Sequence, residues 1–357
     1  MSLDTNFPAD AVEFCPHPNA FDILVCGTYK LETAGIPIVT NPAPVESPQR
    51  RRGQCLVLQL DNSSTSEPIL CISNHIQSID LPAVLDMKWS HRSASLSPML
   101  GIADSEGSIT LHELQTDEKL LKQVDSIRCT SKDTLCLSLD WSNRRTGGID
   151  LGSLVVSLSN GSLCLLSSSE TGLSLVNSWH AHDFEPWVAA WNYWNTNVIY
   201  SGGDDLKLRV WDIRQGFSQS ILTNKRFDAG ITSIQSHPHL ENLIAVGSYD
   251  NTVRLFDTRK LLTPMIQVDV GGGAWRVKWH PSWGRKEDLL VACMHEGVKV
   301  IHFDFNDLNS QGQVVRHFRE HKSMAYGIDW SFDSSHLQNT VIGSCSFYDH
   351  VFYLWSG

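Results

Sequence analysis

One pattern returns down this chain: alternating apolar residues that end in an aromatic side chain, a gap, an apolar run, a turn, and a second alternating stretch. The clearest copies are adjacent; they read VAAWNYWNTNVIYSGGDDLKLRVWD, ending at Asp212, and ITSIQSHPHLENLIAVGSYDNTVRLFD, ending at Asp257. The end of the first stretch can be marked in every copy, and successive marks lie 43 to 75 residues apart. The seven marks are Phe14, Trp89, Trp141, Trp191, Ser236, Trp279 and Trp330. Such a period indicates an array of similar supersecondary units rather than unrelated domains.

Both clear copies resemble WD repeats, in which each unit is a four-stranded antiparallel sheet. The period-2 alternation of LKLRVW and TVRLFD fits such strands. A lone sheet cannot bury both of its faces, whereas radial packing around a channel does so. We therefore predict an all-β, single-domain, seven-bladed WD40 β-propeller. The predicted blades are residues 8–80, 81–132, 133–183, 184–229, 230–271, 272–322 and 323–357.

Two segments depart from the regular repeat. The last copy reaches Gly357 before its outer strand, so we predict that residues 2–7 supply that strand and close the ring. Residues 33–53 carry four prolines and three successive arginines, which predicts a mobile surface loop. The arginines, Arg50 to Arg52, are either a solvated part of this loop or a docking patch for an acidic partner.

Composition excludes several classes of partner. The formal net charge of −11 gives a field that repels phosphate backbones, so nucleic acid is not expected. The N-terminus has no basic segment followed by an apolar one, and no uninterrupted apolar window is long enough to span a membrane. The nine cysteines form no CxxC pair and sit mostly in apolar runs, which is typical of reduced core residues. We expect a cytoplasmic monomer without a cofactor.

In WD propellers, the turn between the second and third strands faces the channel mouth, as does the loop into the next blade. Counting back six residues from the terminal aromatic of each copy places these turn residues at Glu106, Asn160, Asp205, Asp250, His295 and Asp349. Carboxylates and amides suit such turns because they accept hydrogen bonds from nearby backbone N–H groups. His295 breaks the series and could carry a proton near neutral pH or be a turn residue without a function.

Two loops between blades are rich in reactive groups. Residues 179–187, WHAHDFEPW, offer His180, His182, Asp183 and Glu185. His182 is either a base or the structural partner of Asp205. The H-x-H spacing also permits a metal reading, with a third ligand such as His295 or His321, but we predict no metal site. Residues 317–327 precede the last copy, where Tyr326, Tyr348 and His350 either face the mouth or serve strand and turn packing.

The chain has no G-x-S-x-G, Walker A, G-x-G-x-x-G or H-E-x-x-H motif. From local chemistry alone, a binding scaffold is therefore the default interpretation.

Several stretches resemble the diphthine methylesterase (diphthine methyltransferase) family rather than WD repeats at large. They include GGGAWRVKWHP (residues 271–281), LLVACMHEGVKV (289–300), AYGIDW (325–330) and CSFYDHVFYLW (345–355). The resemblance covers nearly the whole chain, apart from residues 33–53. It implies hydrolysis of the methyl ester of methylated diphthine, the modified histidine of translation elongation factor 2, with release of methanol.

That substrate carries a quaternary trimethylammonium, which aromatic faces bind by cation–π attraction. The predicted cage residues are Trp187, Trp275, Tyr326 and Tyr348, with His350 beside them. Trp275 could instead be a wedge between blades that follows the glycine run.

Ester hydrolysis needs a nucleophile, a base and donors for the oxyanion. We expect a water activated by His182 or His295 and oriented by Asp183, Glu185 or Asp349. Arg276, or the backbone N–H groups of residues 271–273, would stabilise the oxyanion. A covalent route through Ser346 or Cys345 is a less favoured alternative.

Two non-catalytic functions compete with this one. Residues 211–214, Trp211 to Arg214, match the WDxR box by which WD proteins dock on a cullin-4 ubiquitin ligase adaptor. The chain could also be a trafficking or assembly scaffold.

Overall fold

The structure is a computed structural model that describes residues 1–32, 49–61, 71–145, 147–169, 172–307 and 311–357. The described strands form seven separate antiparallel sheets arranged around a central channel. The predicted fold class, a single-domain seven-bladed propeller, is confirmed. Every marked residue lies at or next to the end of the first, innermost strand of its sheet. None of the helices in the described ranges is long and apolar enough to cross a membrane.

The strands are numbered in chain order. The first strand and blade one comprise β1 (Ser2–Asp4), β2 (Ala9–Phe14), β3 (Ile23–Thr28), β4 (Lys30–Glu32), β5 (Arg50–Leu60) and β6 (Ile72–Pro82). Blades two and three comprise β7 (Val84–Ser90), β8 (Met99–Asp104), β9 (Ser108–Gln115), β10 (Leu120–Arg128), β11 (Cys136–Trp141), β12 (Leu154–Leu158), β13 (Ser162–Ser169) and β14 (Gly172–His180). Blades four and five comprise β15 (Val188–Trp191), β16 (Val198–Gly202), β17 (Leu208–Asp212), β18 (Leu222–Asn224), β19 (Ile231–Ser236), β20 (Leu243–Ser248), β21 (Thr252–Asp257) and β22 (Ile266–Asp269).

Blades six and seven comprise β23 (Arg276–Trp279), β24 (Asp288–Ala292), β25 (Val298–His302), β26 (Gln313–Phe318), β27 (Ala325–Trp330), β28 (Val341–Ser346) and β29 (Val351–Ser356). Three short 3₁₀ helices lie between strands, at Pro18–Ala20, Trp283–Arg285 and Ser334–Asn339.

The marked tryptophans join neighbouring blades. Each is buried, and three of them donate their indole N–H to a backbone carbonyl in the preceding blade: Trp141 to Lys88 (2.8 Å), Trp191 to Asp140 (3.1 Å) and Trp330 to Lys278 (3.0 Å). A buried indole needs such an acceptor because its N–H would otherwise be left without water. Three of the five marked tryptophans therefore repeat one contact between blades, whereas the buried indole N–H groups of Trp89 and Trp279 have no hydrogen-bond partner among the described residues.

Side chains also connect the innermost strands. Each of these strands has an edge toward the channel, where its N–H groups have no neighbouring strand. Side chains of the preceding blade accept from them: Asp140 from Trp191 N–H (2.9 Å) and Gln235 from Trp279 N–H (2.6 Å). The same contact closes the ring, since Asp329 of blade seven accepts from Phe14 N–H of blade one at 2.8 Å.

The two ends of the chain share blade seven. Strand β1 pairs antiparallel with β29, in the register Ser2↔Tyr353 to Asp4↔Val351. Beyond it, the backbone N–H and the hydroxyl of Thr5 donate to the His350 carbonyl, at 2.8 and 2.9 Å. Because strands from both ends of the sequence form one sheet, opening the ring requires this sheet to come apart.

Blade one differs from the prediction. It has five strands instead of four, since β5 pairs with β3, β4 and β6. The predicted loop over residues 33–53 is wrong at its C-terminal end, because Arg50 to Arg52 begin β5 and pair with Lys30–Glu32. The side chains of Arg50 and Arg52 lie near Glu32, whereas Arg51 turns to the other side of the strand and donates Nε–H to the Tyr29 hydroxyl at 2.8 Å. Residues 33–48 lie outside the described residues.

Two buried histidines tie loops between blades to strands. His182 Nδ1 lies 2.8 Å from Asp205 Oδ1, its Nε2 lies 2.7 Å from Ser201 Oγ, and Trp211 Nε1–H donates to Ser201 at 2.9 Å. Blade seven repeats the arrangement, because His321 lies between the hydroxyls of Ser346 and Ser344. The indole N–H of Trp355 donates to the Ser344 hydroxyl.

We expect His182→Ala to lower the free energy of unfolding by about 2–4 kcal/mol, because the buried Ser201 and Asp205 would lose their shared partner. Urea denaturation measures this effect. The exposed turn residue His295 supplies the matched control, and His295→Ala should change stability by at most about 0.5 kcal/mol. Equal losses for the two variants would contradict a structural role for His182.

Candidate functional site

One end of the channel widens into a cavity of about 480 Å³. Its lining comes from the innermost strands, the blade-connecting loops and the turns between second and third strands, so it opens on the face predicted for a site. The residue four positions before each marked residue forms a ring at this level, which we call the mouth ring. Its members are Asp10, Leu85, Leu137, Trp187, Thr232, Trp275 and Tyr326, and all of them line the cavity.

β-Bulges shape the mouth ring. The register shifts at this position in five blades, where Asp10, Leu85, Leu137, Thr232 and Tyr326 fall within the irregularity. A bulge inserts an extra residue and re-aims its side chain, which is why bulges recur beside functional sites. In the other two blades, the tryptophans lie just before the strand. In five blades the next residue along the chain lines the same cavity, and these residues are Asp86, Ser138, Val188, Ser233 and Arg276.

Aromatic rings cover one side of the mouth. We call the set Trp187, Tyr249, Trp275, Tyr326 and Phe347 the aromatic arc. Trp275 is its centre, with ring centroids 5.6 Å from Trp187, 5.7 Å from Tyr249 and 4.9 Å from Tyr326. Phe347 continues the arc 5.5 Å beyond Tyr326. All five side chains are half-buried, so ring surface remains available to a ligand.

The glycine run before Trp275 allows this placement. A Cβ on Gly272 would lie 2.2 Å from the backbone oxygen of Cys293, so only glycine lets the loop pass this close to the turn of blade six. The N–H of Gly271 donates to Asp269 at 2.8 Å, and residues 271–273 do not line the cavity. The run therefore positions Trp275 rather than an oxyanion.

Below the mouth ring lies a layer of buried charges, which we call the charged layer. It contains four carboxylates and four cations: Glu13, Asp86, Asp140, Asp329, Lys88, Arg144, Arg276 and Lys278. Asp86 lies 2.5 Å from Lys88 and 2.8 Å from Arg276, which reaches it across the channel from blade six. Each carboxylate has a cation within 4.0 Å, as buried charges require.

The surroundings move the pKa values of these carboxyls in opposite directions. Burial disfavours ionisation of Glu13, yet Lys278, Lys88 and Arg144 together lower its pKa to about 2. Burial likewise opposes ionisation of Asp86, but Lys88 and Arg276 hold its pKa well below the usual range. For Asp140 and Asp329, burial outweighs the attraction of nearby cations and raises each pKa to about 6.

Five of the predicted site residues line the cavity: Glu185, Trp187, Trp275, Arg276 and Tyr326. Arg276 gives Nη1–H to Asp86, while its buried Nε has no hydrogen-bond partner within the part of the chain that the structure describes. Trp275 lines the cavity and also packs against the hydrophobic cluster between blades six and seven, so its position agrees with both the cage and the wedge interpretations.

The other predicted residues lie outside the cavity lining. His182 is fully engaged by Asp205 and Ser201, and Asp349 accepts from Ser346 Oγ–H and Lys322 N–H. Both therefore have the structural role that was the alternative. Asp183 is exposed, and a hydrogen bond from Lys207 lowers its pKa.

Three further predicted residues belong to exposed or structural turns. His295 is exposed at the turn of blade six, and Tyr348 is 69% exposed, with its ring 5.1 Å from Phe347 at the rim of the mouth. The His350 carbonyl binds Thr5 at the closure of blade seven. These turns project into solvent and carry their side chains away from the channel axis. Position within the repeat therefore does not distinguish these residues from those that line the cavity.

The alternative nucleophiles and the metal reading also have structural explanations. Ser346 is buried in the network around His321, and Cys345 is buried beside Cys26. No cluster of three or more His, Cys, Asp or Glu side chains suited to a metal occurs among residues that the structure describes. At the predicted docking box, Arg214 forms two hydrogen bonds to Asp212, as Arg259 does to Asp257, so the motif closes its own turn and adaptor binding stays a prediction.

Asp10 is the residue that the sequence analysis did not select. The residue is 8% exposed and lines the same cavity as Trp187, Trp275 and Tyr326 of the aromatic arc. The signal was present in the marks themselves, since counting four residues back from each gives one carboxylate, three aromatic residues, two leucines and a threonine.

Comparison with known families and structures supports the fold. The WD domain, G-beta repeat family matches residues 219–257. A chain in the crystal structure of the mitotic checkpoint complex superposes with a TM-score of 0.68, covering 100% of this chain and 91% of that chain at 14% identity. At that identity, the likeness concerns the fold alone.

Comparison with curated proteins identifies the family more narrowly than the repeat match does. The diphthine methyltransferase of Homo sapiens is 39% identical over 93% of this chain and 74% of its own length. The diphthine methyltransferase homolog of Dictyostelium discoideum is 35% identical over 98% of this chain and 96% of its own length. The diphthine methyltransferase of Schizosaccharomyces pombe is 31% identical, with 98% and 95% covered. At these identities and coverages, the chain belongs to the diphthine methyltransferase family.

Proposed function

We propose that this protein hydrolyses the methyl ester of methylated diphthine on translation elongation factor 2, releasing methanol and a free carboxylate. The names of its relatives support a diphthine-modifying enzyme with a role in diphthamide biosynthesis. The ester as the reacting group and elongation factor 2 as the substrate are the proposal.

The aromatic arc is the observation that carries this proposal. A quaternary trimethylammonium has no N–H to donate, so electron-rich ring faces and carboxylates are the groups that recognise it. The arc offers three rings within 5.7 Å of the Trp275 centroid, at the mouth of a cavity of about 480 Å³. That volume suits a single modified side chain projecting from a protein surface.

Arg276 supports the chemistry. In the substrate, the ester and the trimethylammonium are attached to the same carbon, so a cation held by the arc places the ester near the next level of the channel. There, Arg276 is fixed by its bond to Asp86 and keeps a buried N–H without a partner among the described residues. A preorganised donor of this kind stabilises the oxyanion that forms when water attacks the carbonyl carbon.

The first prediction concerns the reaction itself. Incubating the purified protein with methylated-diphthine elongation factor 2 should remove the mass of one methylene from the factor and release one equivalent of methanol. Intact mass spectrometry and a methanol assay measure the two products. An unchanged mass together with no release of methanol would contradict the proposed hydrolysis.

The second prediction concerns the arc. Trp275→Ala should raise KM about tenfold, equivalent to about 1.4 kcal/mol, because the central cation–π contact is lost. Steady-state methanol release measures the change. Trp283→Ala is the matched control, since Trp283 is 59% exposed and lies outside the cavity lining. If both variants kept the parental KM, the arc would not be the cation site.

The third prediction concerns Arg276. Arg276→Gln should lower kcat by about 10²-fold or more, because the transition state loses a charged donor. Asp86 keeps Lys88 at 2.5 Å, which limits the effect on folding. Arg276→Lys should recover part of the loss. Thermal denaturation of each variant separates lost chemistry from lost stability, and an unchanged kcat in a folded Gln variant would contradict the oxyanion role.

A further inference from the structure

Asp10 is a buried acidic residue of the mouth ring, in the wall of the cavity. It lies within the bulge between Ala9 and Ala11 of β2, so its side chain leaves the alternation of the strand. It is 8% exposed, and its carboxyl has no hydrogen bond and no ion pair within 4 Å among residues that the structure describes. A buried carboxyl without such a partner is rare in proteins unless a site uses it.

The charged layer shows why Asp10 stands apart. Its four carboxylates are matched by four cations, and Asp86, Asp140 and Asp329 also accept backbone N–H groups of the next blade. These ion pairs and hydrogen bonds connect neighbouring blades, so the carboxylates of the charged layer already have a structural role. Asp10 sits one level higher, contributes to none of these contacts and faces the cavity.

The groups that face Asp10 are Arg276, Asp86, Tyr249, Tyr326 and Cys26. Burial raises the pKa of Asp10 to about 7, a rise that Arg276 opposes and Asp86 reinforces. The carboxyl can therefore gain and lose a proton near neutral pH, which suits a general base.

Resting on the proposed ester hydrolysis, we propose that Asp10 is the catalytic general base, which takes a proton from the attacking water within the aromatic-walled cavity. The water oxygen bonds to the carbonyl carbon while one of its protons passes to the Asp10 carboxylate. The electron pair of the C=O bond moves to its oxygen, beside Arg276. The tetrahedral intermediate then expels the methoxy group, which receives the proton from Asp10 and leaves as methanol. Asp10 returns to a carboxylate, and the acid product releases its proton to solvent.

The substrate itself favours the active form of this base. An unpaired carboxylate in the cavity is stabilised by a positive charge, and the trimethylammonium in the aromatic arc supplies one. Binding should therefore lower the pKa of Asp10. The free enzyme has to lose a proton to become active, so kcat/KM should rise tenfold per pH unit below about pH 7 and level off above it, while kcat should level off at a lower pH.

Asp10→Asn tests the assignment in the full-length protein, with methanol release from methylated-diphthine elongation factor 2 as the assay. We expect kcat to fall by about 10²-fold to 10⁴-fold, KM to change by less than about threefold, and the inflection near pH 7 to vanish. Asp10→Glu should keep a pH inflection and recover part of the rate. Asp228→Asn, which removes an acidic side chain that is 90% exposed in the loop before β19, is the control and should match the parent.

A measurement without turnover covers the case in which the variant folds poorly. Because folding raises the pKa of Asp10 above its unfolded value of 3.8, Asp10 contributes a loss of stability as pH rises from about 4 to 7, and Asp10→Asn should show a smaller loss over this range than the parent. An Asp10→Asn variant with parental kcat would overturn the assignment, as would one with raised KM and unchanged kcat. An inactive parent protein would overturn the proposed function as well.

Discussion

The unpaired edge of each innermost strand is the constraint on which this ring depends. Each of the seven innermost strands pairs with a neighbouring strand on one side only, so its channel-side edge has no strand to bind. Side chains of the preceding blade satisfy part of this edge, as when Asp329 accepts from Phe14 N–H and Asp140 accepts from Trp191 N–H. A carboxylate is a strong acceptor for an N–H group, so it fixes the angle between blades as well as their contact.

This solution brings negative charge into the axis of the protein, and the charged layer follows from it. Carboxylates that bind backbone N–H groups are buried, so cations from neighbouring blades have to approach them; Lys278 lies between Glu13 and Asp329, and Lys88 between Glu13 and Asp86. Arg276 reaches Asp86 from the far side of the channel. Arg276, the last cation of this network, has a buried Nε–H without a partner among the described residues, and it lines the same cavity as the aromatic arc. The residue that completes the structural network is therefore also the one to which we assign the oxyanion in the proposed reaction.

The repeat made most of the fold predictable. Trp141, Trp191 and Trp330 recur because each donates to the blade before it, so the marks located the innermost strands, and the turn residues fell between second and third strands as expected. The site was only partly predictable. Trp187, Trp275, Arg276, Tyr326 and Glu185 line the cavity, whereas His182 and His295, which seemed the more reactive, do not. Residue type indicates possible chemistry, but exposure and partners decide which groups are available for it.

The sequence by itself determined the number of blades, the innermost strands and the family, because these depend on spacing and motifs that lie along the chain. The tertiary structure alone decided which charges are satisfied and which remain available. His182 and Asp205 are 23 positions apart and Arg276 and Asp86 are 190 apart, and the position of Asp10 four residues before Phe14 does not by itself show that its carboxyl lacks a cation partner. These relations arise only when the ring closes, since closure brings side chains from distant blades to one axis and excludes water from around them.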